Sequence, residues 1–186
     1  MKTAHHLVLT ATAAAASVIL SASAQETTTN STATSAPTSV VATNNIVLTV
    51  VKVDSEETSG ENGQGTNAVD GNPNTFWHTQ WQDASPEHPH EIIIELTPPS
   101  TIKGFTYLPR QDDIDNGSIK DYEFYMSDDG KDFGQAVSKG TFESGKEKKT
   151  VAFQAKKCRF IKLKATSEIN DAAWTSAAEI GVVQND

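Results

Sequence analysis

The chain has 186 residues, with 24 acidic and 15 basic side chains, a formal net charge of −9 and a pI near 5.0. This length suits one domain. The acidic balance argues against nucleic acid and anionic membrane surfaces as partners, because both require clustered Lys and Arg. The single cysteine, Cys158, excludes an internal disulfide, and we expect it to be a small packed thiol.

Residues 1–24 have the form of a secretory signal peptide. Lys2 precedes an apolar run that ends in Ala22-Ser23-Ala24, and the run is too short to span a bilayer. We therefore expect export, either to the periplasm or to the extracellular medium. Residues 25–45 are nearly all Thr, Ser, Ala and Asn, a composition typical of a disordered linker.

From residue 46 onward, hydrophobic residues alternate with polar ones and turn residues separate the runs. No stretch has a convincing helical period. Short strands at this spacing are typical of an all-β protein, and we expect an eight-stranded antiparallel jelly-roll β-sandwich around one core. The predicted strands cover residues 46–53, 91–96, 102–109, 121–126, 136–142, 150–154, 159–165 and 177–183.

Residues 67–81 combine an oxygen-rich turn with an aromatic segment. Calcium takes six to eight oxygen ligands, and this turn could supply about half of them. The alternative is an ordinary Asx turn without metal. The aromatic half, residues 75–81, predicts a short strand with Trp77 in the core. His78 and Trp81 could be structural or could contact a ligand.

Five motifs follow one another in the chain: residues 68–77 (AVDGNPNTFW), 102–105 (IKGF) leading to 108–112 (LPRQD), 122–130 (YEFYMSDDG) and 177–180 (AAEI). In this order and spacing they resemble the coagulation factor V/VIII type C, or discoidin, domain. More narrowly, they are similar to bacterial carbohydrate-binding modules of family thirty-two. The resemblance covers residues 46–183 and implies a galactose-binding-domain-like jelly roll within the predicted domain, 46–186.

The resemblance also implies a structural calcium. Two carboxylates and several neutral oxygens would form a closed cage, which leaves no position open for an activated water. The implied ligands are the side chains of Asp70, Thr75 and Glu179 and the backbone carbonyls of Asn67, Asn72, Thr75 and Ala178.

A sugar site is implied at one end of the sandwich. A guanidinium donates paired hydrogen bonds to adjacent hydroxyls, an imidazole or amide can donate or accept, and an indole covers the apolar face of a pyranose. The residues that match the galactose-binding members are His78, Arg110 and Asn116, with Trp81 and Trp174 as aromatics and Glu61 as an acidic contact in some members.

Each of these residues has a structural alternative. Arg110 could pair only with Asp112 or Asp113, and Trp174 could pack inward. Asn116 precedes Gly117 and could be a turn residue, which would make Asp115 the contact.

We therefore expect a secreted, non-catalytic module that binds terminal galactose or N-acetylgalactosamine. The alternative is an adhesion domain that recognises a protein or a lipid surface. An enzyme is not expected, because nothing in the sequence positions a matched acid and base or a nucleophile. A glycoside hydrolase, if one is a partner, would be a separate polypeptide.

Overall fold

The computed structural model describes residues 45–184. The predicted signal peptide, residues 1–24, and the linker apart from its last residue lie outside this part. Within it, no helix has the length and apolar character needed to cross a membrane.

Eight strands and one 3-10 turn make up the part of the chain that the structure describes. All ladders between the named strands are antiparallel, which confirms the predicted antiparallel jelly roll. The elements are β1 (Val47–Val53), the 3-10 turn (Gly65–Val69), β2 (Trp77–His78), β3 (His90–Leu108), β4 (Asp121–Ser127), β5 (Ser138–Thr141), β6 (Lys149–Ala165), β7 (Ser176–Ala177) and β8 (Glu179–Gln184).

Two long strands, β3 and β6, replace four of the predicted ones. The predicted strands 91–96 and 102–109 are both parts of β3, and 150–154 and 159–165 are both parts of β6. The β3–β6 ladder shifts register between Glu95 and Ser100. Pro98 falls inside this irregular stretch, where its missing N–H breaks no ladder bond, so β3 continues through it.

β3 and β6 contribute to both layers of the sandwich. β1 pairs with the first half of β3, whereas β8 pairs with the second half. β4 pairs with the second half of β6 and carries β5 on its other edge. Phe105 on β3 stacks on Phe124 of β4 with ring centroids 4.1 Å apart, although these strands are not neighbours in a sheet. The two layers therefore pack face to face through this stack.

One core lies between the layers, as predicted. Cys158 belongs to it, and burial raises the pKa of its thiol to about 11. Trp77 is also buried, but the strand that carries it is shorter than the predicted 75–81. The predicted strand 177–183 is divided at Ala178 into β7 and β8, and the Ala178 N–H donates to the carbonyl of Leu108 on β3 at 2.9 Å.

Removing the Phe105 ring should destabilise the sandwich. Phe105→Ala deletes one half of the central stack and leaves a cavity, so we expect a loss of about 3–5 kcal/mol of unfolding free energy in urea titrations. Val51→Ala, at a side chain 48% exposed on β1, is the control and should change it by less than about 0.5 kcal/mol. Equal effects of the two substitutions would contradict a core centred on Phe105.

Candidate functional site

The six residues predicted for a sugar site all line one open cavity of about 200 Å³. The cavity lies beyond the end of β2, the end of β3 and the start of β7, where the connecting loops meet. Its lining consists of Glu61, His78, Trp81, Arg110, Asn116 and Trp174, together with Ile114.

His78 presents a hydrogen-bond acceptor to the cavity. It ends β2 and is only 2% exposed. Burial lowers the pKa of its imidazole, so the ring is neutral near pH 7. Its Nδ1 lies 2.7 Å from the carbonyl of Thr79, which can only accept, so Nδ1 carries the hydrogen. Nε2 therefore has a free lone pair.

Arg110 supplies donors beside this acceptor. Its Nε and Nη2 donate to the two carboxylate oxygens of Asp112 at 2.7 and 2.5 Å, and its Cζ lies 4.1 Å from the centroid of the Phe76 ring. These contacts fix the guanidinium plane, which is 5% exposed, and hold the pKa of Asp112 below its usual range. The other N–H groups remain for a ligand. Arg110 thus pairs with Asp112 and also lines the cavity.

Two indoles form apolar surfaces of the cavity. The Trp81 side chain is 38% exposed, and its Nε1 donates to Glu61 Oε1 at 2.9 Å. Gly60 makes room for this ring, because a Cβ there would lie 2.6 Å from two of its carbons. Trp174 donates from Nε1 to Ser85 Oγ at 3.0 Å. Both polar edges are thus held by the protein, and the ring faces stay available.

The segment between Arg110 and Gly117 supplies the remaining wall. Asn116 is exposed, and its side-chain amide has no hydrogen-bond partner within residues 45–184, while its carbonyl accepts from Ser176 Oγ. Asp115 instead pairs with Lys146 at 2.7 Å. Ile114 is 49% exposed and lines the cavity. Asn116, rather than Asp115, is therefore the polar group placed in the cavity.

A buried carboxylate, Glu57, ties together the loops that carry Glu61 and Trp81. It accepts hydrogen bonds from the backbone N–H groups of Ser59, Gly60, Trp81 and Gln82 at 2.7–2.8 Å. These donors lower the pKa of Glu57 to about 2. The carboxylate is therefore ionised, and it holds the backbone of both loops in one arrangement.

Glu168 has the same role on the other side of the cavity. Its buried carboxylate accepts from the N–H groups of Gly117, Asn170 and Ala172. Gly117 has a φ of +83°, and a Cβ there would lie 2.7 Å from the backbone nitrogen of Ser176. This position therefore requires glycine, and the turn directs Asn116 toward the cavity.

The buried His90 supports the loop that carries Trp174. Its Nδ1 donates to Asp54 Oδ2 at 2.7 Å, and its Nε2 lies 2.8 Å from the carbonyl of Ala173. Both ring nitrogens thus face acceptors. Burial alone would lower the pKa of His90, but the bonds to Asp54 and Ala173 outweigh it and raise the pKa above 6.5.

The turn at residues 70–75 is closed by its own oxygens. Asp70 accepts from the N–H of Asn72 at 2.8 Å and from Thr75 Oγ1 at 2.7 Å, and Thr75 Oγ1 also lies 2.9 Å from the carbonyl of Asn72. Glu179, at the start of β8, has a buried Oε1 with no hydrogen-bond partner. Burial and the charge of Asp70 raise its pKa. The predicted side-chain ligands Asp70, Thr75 and Glu179 thus lie on adjoining segments.

The predicted backbone ligands border the same turn. Asn67 lies in the 3-10 turn, and its side chain donates to the carbonyls of Asn62 and Phe76. Ala178 directly precedes Glu179. Within residues 45–184 no cluster of three or more His, Cys, Asp or Glu side chains forms a metal site. A cation here would therefore depend on two carboxylates and neutral oxygens.

A family model described as the F5/8 type C domain matches residues 50–180, most of the part that the structure describes. The chain belongs to the F5/8 type C domain family. This confirms the resemblance stated from the five sequence motifs.

Among curated proteins, this F5/8 type C domain is 38% identical over 136 residues to a sialidase of Micromonospora viridifaciens, covering 73% of the chain and 21% of that protein. It is also 38% identical over 128 residues to a galactose oxidase of Gibberella zeae, covering 68% of the chain and 19% of that protein. The chain thus spans about a fifth of the length of these relatives.

Among solved structures, a family 32 carbohydrate-binding module of Clostridium perfringens in complex with GalNAc-β-1,3-galactose has a TM-score of 0.67 and 34% identity, over 73% of this chain and 94% of that chain. A second family 32 module of the same organism, in complex with galactose, has a TM-score of 0.62 and 29% identity, over 73% of this chain and 92% of that chain. The neighbours of this F5/8 type C domain thus include sugar-binding modules.

The sequence did not identify several residues that shape the cavity. Ile114 lies between Asp113 and Asp115, and this isolated apolar side chain between two aspartates is the signal that the sequence offered. Glu57 and Glu168 combine local hydrogen bonds with bonds to distant segments, and His90 bonds to Asp54 and Ala173. The distant partners are brought together only by the fold, so the sequence alone does not mark these roles.

The stability of the domain should depend on the charge of His90. Because its folded pKa is raised, the stabilisation is fully present below the unfolded pKa of about 6.5 and is lost as pH rises through the folded value. Asp54→Asn removes the carboxylate partner and should lower the His90 pKa, which NMR titration of the ring measures. His78, which has a lowered pKa caused first by burial and no contribution from Asp54 or His90, is the internal reference. An unchanged His90 titration would contradict the ion pair.

Proposed function

We propose that this domain is a non-catalytic carbohydrate-binding module for terminal galactose or N-acetylgalactosamine. The supporting observation is the convergence of His78, Arg110, Asn116 and two indole faces on one open cavity. The solved neighbours that hold galactose and GalNAc-β-1,3-galactose support the same class of ligand.

His78 and Arg110 together suit a hydroxyl group. A hydroxyl donates one hydrogen and accepts others, so it can donate to Nε2 of His78 and accept from the guanidinium of Arg110. The axial hydroxyl of a galactose-type ring is the group we assign to this pair. A sugar without it would leave both buried polar groups unpaired, which weakens binding.

The indoles and Asn116 would supply the remaining contacts to the sugar. The C–H face of a pyranose can lie on an indole, and Asn116 can reach a neighbouring hydroxyl. One monosaccharide buries little area, so we expect a Kd on the order of 0.1–1 mM per site. Retention on a glycan surface would then rely on several linked sites. The signal-peptide-like residues 1–24 support the proposal that the protein is exported. A separate glycoside hydrolase is the partner that we propose for such a module.

We also propose a structural calcium at the turn of residues 70–75. The unpartnered buried Oε1 of Glu179, beside Asp70, is the group that a hard cation would satisfy. The side chains of Asp70, Thr75 and Glu179 would hold the ion, with backbone carbonyls of Asn67, Asn72, Thr75 and Ala178. The ion would link the turn to the start of β8.

His78→Ala should abolish most sugar binding. Losing the acceptor leaves the hydroxyl and Arg110 imperfectly paired, and we expect a loss of about tenfold or more in affinity for galactose by NMR titration or on a glycan array. Gln154→Ala, at an exposed position on β6, is the control and should bind as the unmodified protein does. Circular dichroism would verify that both variants are folded.

The same experiment tests the adhesion alternative. Glycan binding that is insensitive to His78→Ala, or binding only to phosphatidylserine vesicles, would contradict the sugar assignment. Among residues 45–184 the exposed large apolar side chains are Val47, Val51, Trp81 and Ile114. The last two line the cavity, where they suit a sugar.

Calcium should stabilise the chelator-treated domain. A ligand that binds only the folded state at 100 times its Kd adds about 2.7 kcal/mol, which thermal unfolding detects as a raised Tm. Glu179→Gln should reduce this gain, whereas Asp83→Asn, at an exposed carboxylate outside the turn, should keep it. No calcium uptake by isothermal titration would overturn the metal proposal and leave the sugar proposal standing.

A further inference from the structure

The charges around the cavity are unequally compensated. Arg110 is the cation that lines it, and both bonds to Asp112 already neutralise its charge. Glu61 is the carboxylate that lines it. Within residues 45–184 the partner of Glu61 is the indole N–H of Trp81, which carries no charge, and no cation pairs with this carboxylate.

The exposed carboxylates on either side of Ile114 in the chain strengthen this imbalance. Asp113 is exposed and has no hydrogen bond or ion pair among the described residues. Asp115 is paired with Lys146, so neither of these two charges is available to a ligand. The indole faces of Trp81 and Trp174 carry the negative side of a ring quadrupole, which attracts cations. His78 adds no positive charge, because burial keeps its imidazole neutral.

From this arrangement we infer that the cavity selects its sugar by charge. It favours a galactose-configured sugar with a free ammonium group over the neutral sugar, and it disfavours one that carries a carboxylate or a sulfate. The ammonium group would pair with the carboxylate of Glu61, and an acidic group would meet Glu61 while the charge of Arg110 is already paired with Asp112. This inference rests on the proposed sugar-binding function and adds the class of substituent to it.

A consequence concerns the order of events on a glycan. A chain that ends in an acidic sugar would be excluded, both by its charge and because its galactose is no longer terminal. A hydrolytic reaction that removes the acidic sugar would therefore have to precede binding.

Three sugars with the same ring configuration test the inference: galactose, galactosamine and galacturonic acid. At about pH 7 most of the amine is protonated, the carboxylate is ionised and His78 is neutral. We expect galactosamine to bind at least about threefold more tightly than galactose, and galacturonic acid at least about threefold more weakly. Both ratios should approach one as salt is raised, because screening weakens exposed charge pairs.

Glu61→Gln supplies the decisive variant. Its amide oxygen can still accept from Trp81, but the charge is gone, so the ratio of galactosamine to galactose affinity should fall toward one. Asp128→Asn removes the same charge at the far end of β4 and should leave that ratio unchanged.

The outcomes separate the two proposals. Galactose binding with no preference for galactosamine, or with equal binding of galacturonic acid, overturns the charge inference alone. A preference that survives Glu61→Gln also overturns it. No binding of any of the three sugars overturns the sugar-binding function, and the inference falls with it.

Discussion

The bending of the long strands β3 and β6 is the constraint on which the rest of the architecture depends. β3 has 19 residues and β6 has 17. Fully extended, β3 would span roughly 60 Å, whereas a domain of this size is roughly 35–40 Å across. The strands must therefore bend, and Phe105 on the second half of β3 comes to lie over Phe124 in the opposite layer. Both ends of each long strand then return to the same end of the sandwich.

That return gathers the loops of the cavity, and buried carboxylates fix their shape. Glu57 and Glu168 bind backbone N–H groups rather than cations, so each stabilises a loop conformation without placing a positive charge near the cavity. His90 holds the carbonyl of Ala173 in a similar way. The groups that would meet a ligand, such as Nε2 of His78, are those that the supporting contacts leave unpaired. A preformed arrangement of this kind lowers the entropy lost on binding.

The sequence predicted the class of fold because most strands have a local pattern that identifies them. Alternation of apolar and polar residues identified β4, for example, and Asp128-Asp129-Gly130 marked its end. The continuity of β3 could not be predicted from the sequence. Pro98 and Pro99 normally indicate the end of a strand, and the register shift between Glu95 and Ser100 that accommodates them is visible only in the structure. The six cavity residues came from the family resemblance, and the structure brings all six to one place. The roles of the buried acids could not be predicted, because each acts partly through a bond across 20 or more residues, as Glu57 with Trp81 and Glu168 with Gly117 show.

The placement of the outer strands bears on how such a module can act. Val47, at the start of β1, pairs with Thr97, and Gln184, at the end of β8, pairs with Ile102. Both pairs flank the bend of β3, at the opposite end of the sandwich from Arg110 and the cavity. A tether attached at either strand would therefore leave the cavity facing outward. If the module binds a glycan weakly, as proposed, this orientation would allow several linked modules to engage one glycan surface at once.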